Sequence, residues 1–518
     1  MPKKLKRALL LLAVAAMLPI SLYGCTGDTE PSASPSASAQ SGKPSDGGSV
    51  TVGIAQDLDS LDPHKAVAAG SSEVLFNIFE GLVKASPDGG VTPAVASGYE
   101  VSSDGKVYTF TLREGVTFHN GEAVTAEDVV YSLERCAGSE NDGTPLISAF
   151  SNVTDITATD AAHVAVTLEK PTLEFIYSMT AAIIPAGSGA DMASAPVGTG
   201  PFSFASYSPQ ESMVIKKYDG YWGTPASLDQ VTFKIITSSE TLVMSLKSGA
   251  LDMVIHLPNT LAAAVGDGFT VHQDTMKLVQ ALYLNNAVKP LDDVRVRQAM
   301  YYAVNVQEII DFVCDGAGVA TGTSMYPAYT KYFLPELADA YPQDLEKARA
   351  LLTEAGYPNG FDLTITVPGN YTQHVETAEV LYEQLKQVGI RVTIEPVEWE
   401  TWVSDVYRGR NYMSTVCGIA ASDMSAREML VRYVSDNGKN FINFADEAYD
   451  AAVNAALTSL DDDEQTELYQ QAERILNEQA ASIWLQDLCD LTVTNPKLEG
   501  VTFYRTYVLD MSCIHFVD

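Results

Sequence analysis

The sequence predicts an exported, mixed α/β body carried on a flexible tether. Three observations predict it. A basic start leads into an uncharged apolar run, a Ser/Pro/Ala/Gly-rich stretch follows, and strand-period and helix-period patterns then alternate from about Val50 to Asp518. Lys3, Lys4, Lys6 and Arg7 precede the apolar run 8–23, the order of a secretory signal peptide. That run is shorter than the roughly 18 apolar residues expected of a spanning helix, and Pro19 interrupts it.

Leu22-Tyr23-Gly24-Cys25 resembles a bacterial lipobox. The resemblance implies cleavage before Cys25 and a diacylglycerol on its thiol, so 1–24 is expected to be a lipoprotein leader. The stretch 26–49 holds almost no large apolar residue. It cannot bury enough surface to offset its ordering entropy, so 25–49 is expected to be a lipidated cysteine and tether. Such a chain has a reach of roughly 25–30 Å.

The body is long enough for more than one domain, and 46% hydrophobic with 9% aromatic residues supplies ample core. No second long apolar run occurs. A formal charge of −34, more negative still without the leader, argues against nucleic acid and against lying on anionic lipid. Besides Cys25 there are Cys136, Cys314, Cys417, Cys489 and Cys513. Five is odd, and no CxxC occurs. An exported body permits one or two disulfides with the pairing open, or several small buried thiols.

The sequence proposes no enzyme. GxSxG, HExxH, Walker A and GxGxxG are all absent, and the seven His residues offer no i,i+4 pair for a metal. His119, in "VTFHNGE", follows a strand pattern and precedes an Asn-Gly turn, a structural setting. "DDDE" (461–464) precedes a helical pattern, where carboxylates suit the positive end of the dipole. No catalytic residue, metal or cofactor is expected.

In the body, "KVYTFTL" (106–112) alternates as a strand, and "VTFKII" (231–236) is a second β-rich run. In 290–305, Asp292 or Asp293 caps a helix whose Val296, Ala299, Met300, Ala303 and Val304 share one face. Asp344 caps the next; Ala348, Leu351, Leu352 and Ala355 form its stripe and Gly356 stops it. A strand at 363–367, a helix through Ala378, Leu381, Leu385 and Val388 ending at Gly389, and a strand at 390–399 make a βαβ unit, which calls for a parallel sheet. The last long helix is expected over 464–480, with Leu468, Ala472, Ile475 and Leu476 facing inward.

Seven phrases, in one order, together resemble the extracellular solute-binding proteins of the peptide/nickel class (family 5) of ABC importers. They are "SLDPHKA" (60–66), "FEGLVKASPDGG" (79–90), "YTFTLREGVTFHNGEAVTAEDVVYSLER" (108–135), "VGTGPF" (197–202), "YDGYWG" (218–223), "LNNAVKPLDDVRVRQAMYYAVN" (284–305) and "LLTEAGYPNGFDL" (351–363). The resemblance covers nearly the whole body. It implies a two-lobed periplasmic-binding-protein-like fold of type II with an extra β-rich domain in the first lobe. Lobe I is expected from 48–78, 190–278 and 490–518, the inserted domain at 79–189 and lobe II at 279–489. It further implies a monomeric substrate-binding lipoprotein that captures a peptide or peptide-like solute and delivers it to a membrane permease driven by cytoplasmic ATPases. Membrane contact is expected through the lipid anchor alone. The alternatives are the same receptor with a sugar or metal–chelator ligand, or a peptide-signal sensor.

The family's peptide binders carry a loop reading roughly Gly-Trp-x-x-Asp, whose Asp meets the peptide ammonium. In "CGIAASDMS" (417–425), Gly418 matches, Ile419 stands for the Trp, Ser422 stands for the Asp, and Asp423 comes one residue later. A buried ammonium needs a carboxylate, so Ser422 argues against ordinary free-amino-terminus recognition. Trp399 matches a pocket Trp, with Trp402 three residues on; each reads as pocket wall or core. Val67, Ala68 and Ala69 occupy the loop beside the ligand in relatives. Gly198-Thr199-Gly200 reads first as a tight turn. No His falls in 417–425, so nickel is not implied.

Overall fold

The computed structural model describes residues 44–420 and 425–517. Three sheets organise them. The largest has seven strands in the order Thr270–Thr275, Cys489–Thr494, Met253–Leu257, Ser49–Ile54, Gln230–Ile235, Ser212–Lys217, Phe202–Ser208. Ser49–Ile54 sits at its centre, parallel to Gln230–Ile235 and to Met253–Leu257. Its Val50 and Val52 are fully buried.

The chain crosses between this sheet and a second one twice, out and back, side by side. Thr275 passes to Leu278 through Met276 and Lys277, and Asp487 passes to Cys489 through Leu488. The two crossings are tied together, since the Met276 N–H donates to Leu488 O at 2.7 Å and the Leu278 N–H to Asp487 Oδ1 at 3.1 Å. Lys277 takes a left-handed φ of 58° there, unusual for a side chain of its size. Beyond them lies a six-stranded sheet ordered Val319–Ala320, Ser482–Asp487, Leu278–Leu284, Ser414–Ala420, Asp362–Pro368, Arg391–Val397. The helix Thr372–Lys386 connects its two parallel strands Asp362–Pro368 and Arg391–Val397. The sheet as a whole is mixed rather than parallel, because Leu278–Leu284 runs antiparallel to both neighbours.

The third sheet is a four-stranded antiparallel one, Ala96–Val101, Val107–Leu112, His163–Leu168, Val153–Ala158. It has its own core, including Phe110, Val129, Leu133, Phe150 and Val166. Thr125 and Asp128 cap its helix Ala126–Cys136 reciprocally, as a capping box. Arg135 on that helix is 1% exposed and pairs bidentately with Asp62, Nη1 to Oδ1 at 3.0 Å and Nη2 to Oδ2 at 2.5 Å. Arg135 Nη1 also donates to His64 Nδ1 at 2.8 Å, and His64 Nε2 donates to Ala182 O at 2.8 Å. Asp62 and His64 of "SLDPHKA" therefore hold the module through Arg135.

His119 has the same kind of role. It accepts the Gly198 N–H at Nδ1 and donates from Nε2 to Gly200 O. A side chain on Gly198 would lie 2.1 Å from Ile78 O, so the turn is a close-packing device.

Most helix ends follow their caps: Asp293 bonds Arg295 N, Asp344 bonds Lys347 N, and Gly356 and Gly389 have φ of 92° and 88°. The last long helix, Asp462–Glu478, is rotated from the expected stripe. Ala472 and Leu476 are buried as expected, but Tyr469, Glu473 and Asn477 are buried beside them, while Leu468 and Ile475 are only partly covered. At the other end, the stretch read as tether to Ser49 is already paired from Pro44. Pro44–Ser45 forms a strand against His515–Val517, and Gly47 N–H bonds Ser227 O. Among the described residues all five cysteines carry free thiols, and four of them are buried.

Candidate ligand-binding cleft

The candidate site lies where loops from the two larger sheets meet. From the seven-stranded side comes the segment after Ser49–Ile54. Asp59 Oδ2 accepts the Val67 N–H at 2.9 Å and the Ala68 N–H at 3.3 Å, and Ala69 opens the helix Ala69–Leu75. The bend leaves the Val67 side chain 89% exposed. Ahead of it, Gln56 Nε2 donates to Tyr371 Oη at 3.2 Å. On the same side Arg505 Nη1 reaches Ala328 O at 2.9 Å and Thr330 Oγ1 at 3.1 Å.

From the six-stranded side comes an aromatic ladder. Tyr371 stands edge-on to Trp399 with centroids 5.5 Å apart, and Trp399 stacks on Trp402 at 5.1 Å and 9°. The two Trp residues differ in environment. Trp402 is 3% exposed and its N–H donates to Thr415 Oγ1 at 2.9 Å. Trp399 is 43% exposed, which leaves it an uncovered aromatic surface to stack on a flat or apolar group.

Gly418 and Ile419 close the strand Ser414–Ala420. A Cβ on Gly418 would lie 2.5 Å from Leu278 Cδ1, so this glycine answers to packing across the sheet. Ile419 is 9% exposed and opposite Val279. Ser422 and Asp423, like Cys25, lie outside the described residues. Ser425 directly precedes the helix Ala426–Val431.

One charged cluster escaped the sequence reading. His256 Nε2 lies 2.9 and 3.0 Å from the two oxygens of Glu73, and Nδ1 lies 2.9 Å from Asp490 Oδ1. Carboxylates only accept, so both ring nitrogens must carry a proton and the ring is an imidazolium. Burial opposes that charge, but Asp490 and Glu73 outweigh it and raise the pKa well above the ordinary histidine range. Tyr507 stacks on the ring at 5.4 Å, and His256 holds a φ of 53°, a strained backbone for a non-glycine residue. A cavity of about 40 Å³ beside it is lined by Glu73, His256, Asp490, Thr492, Phe503 and Asp510, among others. Glu73 stands on the helix that follows Val67–Ala69, so the cluster braces that loop. No sequence signal could have found it, for Glu73 and Asp490 are 183 and 234 positions from His256.

Among the described residues no group of three or more His, Cys, Asp or Glu side chains could hold a metal ion, and no helix is long and apolar enough to cross a membrane.

Residues 90–441 match the model of the bacterial extracellular solute-binding proteins, family 5. The chain belongs to that family. It is 30% identical over 451 residues to the glutathione-binding protein GsiB of Salmonella typhi, covering 82% of this chain and 86% of that protein. It is 27% identical over 468 residues to heme-binding protein A of Haemophilus influenzae, covering 83% and 84%. The solved structure of the periplasmic binding protein DppA of Helicobacter pylori, in complex with the peptide STSA, superimposes with a TM-score of 0.79 at 25% identity, over 92% of this chain and 99% of that one. The fold is therefore the family's two-lobed binding-protein architecture, and the function class is solute binding for ABC transport.

Proposed function

We propose that this chain is the lipid-anchored receptor of an importer, closing two lobes on a peptide or peptide-like solute for delivery to a membrane permease. Lobe I comprises 48–78, 190–278 and 490–518, and lobe II comprises 279–489, with 79–189 as the inserted domain. The paired crossings at 276–277 and 488 are the hinge, because both lobes can turn about two adjacent short segments without disturbing either core. Ligand binding then shifts an open–closed equilibrium, since only the closed form makes contacts from both sides.

The observation that carries this reading is the half-exposed Trp399, backed by buried Trp402 and in contact with Tyr371, which bonds Gln56 on the other side. Trp399 stacks on the solute, and the backbone at Val67, Ala68 and Ala69 lies close along it. The 418–425 loop, with Ser422 and Asp423, contributes the polar recognition. Relatives are named for glutathione, heme and peptide ligands, which supports a peptide-like solute without fixing one. Ser422, in place of the family's carboxylate, favours a solute whose amino group is blocked or absent. Cys25 carries the lipid that keeps the receptor at the outer face of the membrane.

Native mass spectrometry of the purified protein, before and after mild denaturation, tests the proposal, together with titration by a pool of tri- and tetrapeptides. Co-purified masses that fragment as peptides, or saturable binding from the pool, are the expected outcome. One discrete non-peptide mass with no binding from the pool would replace the peptide reading with a non-peptide ligand.

A further inference from the structure

The aromatic ladder that begins at Trp399 does not end at Trp402. Trp402 stacks on Tyr407 at 6.0 Å, Tyr407 meets Phe441 at 5.3 Å, Phe441 meets Tyr283 at 5.1 Å, and Tyr283 stands edge-on to Trp484 at 5.8 Å. The wall therefore runs from a half-exposed indole to a fully buried one. Strand register places it. Thr415, which accepts the Trp402 N–H, lies opposite Tyr283, and Tyr283 lies opposite Ser482 on its other side. Trp484 follows Ser482 by two residues, so Thr415, Tyr283, Ser482 and Trp484 share one face of the six-stranded sheet.

At the inner end of this wall, polar groups are left over. An indole N–H can only donate, and Trp484 Nε1 is buried with no partner among the described residues, as is Ser482 Oγ. Arg432 is 5% exposed. It adjoins Tyr433, whose ring lies 5.7 Å from that of Trp484. Arg432 Nε donates to Glu428 O at 3.2 Å, a main-chain carbonyl and not a carboxylate. Among the described residues Arg432 forms no ion pair, and its Nη1 and Nη2 have no acceptor. Burial opposes its charge, while Tyr433, Tyr407, Glu428 and Tyr283 favour it; Tyr407 and Tyr283 belong to the wall. A guanidinium out of water without an anion is strongly disfavoured. The end of the six-residue helix Ala426–Val431 supplies no more than about half a negative charge.

We propose that Arg432 and Trp484 form an anion seat for the solute: a carboxylate of the solute takes the guanidinium N–H groups and the indole N–H, while its apolar part lies along the aromatic wall. The inference rests on the receptor reading above and narrows its solute to one that carries a carboxylate. A carboxylate only accepts, and a planar guanidinium meets it with two parallel bonds. A few placed polar groups at the end of an apolar wall is the ordinary composition of a small-molecule pocket.

The chain holds four Trp residues, so the full chain labelled in its indoles gives four indole N–H signals in NMR. Trp484→Phe assigns one of them and keeps a ring in place. Benzoate and its neutral counterpart benzamide are titrated into wild type, Trp484→Phe and Arg432→Met. Benzoate is expected to shift the Trp484 signal saturably and benzamide to leave it unmoved. Arg432→Met should weaken the benzoate response by about tenfold or more, the worth of hydrogen bonds to a charged group. The tri- and tetrapeptide pool is then compared as free acids and as C-terminal amides, each with and without acidic side chains, which separates an α-carboxylate from a side-chain one. Wild type should prefer carboxylate-bearing members by about tenfold or more, Trp484→Phe by severalfold less, and Arg432→Met should lose the preference. A Trp484 signal indifferent to benzoate, or carboxylate-bearing and neutral peptides bound alike by wild type, would overturn the proposal. If Arg432→Met does not fold, these wild-type comparisons decide it alone. A saturable benzoate response with nothing bound from the pool leaves the anion seat standing and removes the peptide reading. A pool bound without preference leaves the receptor reading standing and removes the seat.

Discussion

Replacing Asp62 by alanine removes the anion that neutralises Arg135. Both side chains are 1% exposed, and the two bonds between them measure 3.0 and 2.5 Å. The guanidinium would keep His64 Nδ1 at 2.8 Å and the half-exposed Glu140 at 2.9 Å, neither of which replaces a buried carboxylate. Removing one partner of a buried pair costs about 3–5 kcal/mol. At a urea slope of about 1–3 kcal/mol/M, the module's unfolding midpoint falls by at least about 1 M. Pulse-labelled hydrogen exchange across a urea series, read at amides 107–112 and 163–168, isolates this module from the other sheets. Combining Asp62→Ala with Arg135→Met should recover much of the loss, because the buried charge is then gone. A midpoint that moves by less than about 0.3 M in the single variant would refute the reasoning, for it would mean that Arg135 is already neutralised by other groups.

Four further outcomes are expected. Trp399→Ala should weaken binding of the peptide pool by about 3–10-fold in calorimetry, the worth of an aromatic contact, and barely move the melting temperature. Trp402→Ala should cost about 3–5 kcal/mol of stability, because that ring is buried. Gly418→Ala should destabilise by about 1–3 kcal/mol in denaturant melts and be rescued by Leu278→Ala; loss of binding at full stability would instead assign Gly418 to the ligand. Histidine-selective NMR should find His64 and His119 titrating at about 4 and His374 at about 3, each lowered by burial, and His256 still charged well above the usual range. The signs are opposite. The first three contribute stability that is intact above about pH 6.5 and lost as pH falls towards their folded values, whereas the His256 contribution is full below about pH 6.5 and lost as pH rises through its raised value.

Element positions were legible because their causes are local. Asp344 bonds a backbone N–H three residues on, and Gly356 ends the same helix with a positive φ. The α/β class followed from such signals, and the resemblance of ordered phrases supplied the lobes. The aromatic pair was named from sequence, but which Trp faces outward was not. Two positions three apart on one helical turn carry no mark of which one the Thr415 hydroxyl will meet.

By itself the sequence determined the caps, the turns, the strand periods and the family, all of which rest on residues within a few positions or on phrases in a set order. Only the tertiary structure decided that Asp62 and His64 serve Arg135, that His256 is held between Glu73 and Asp490, and that Glu174 accepts the Tyr469 hydroxyl. The helix Asp462–Glu478 shows why. Hydrophobic periodicity predicts an apolar face for it, yet Tyr469 and Glu473 are buried there. A polar side chain can be buried wherever a distant segment brings it a partner, and no local pattern records where that segment will arrive.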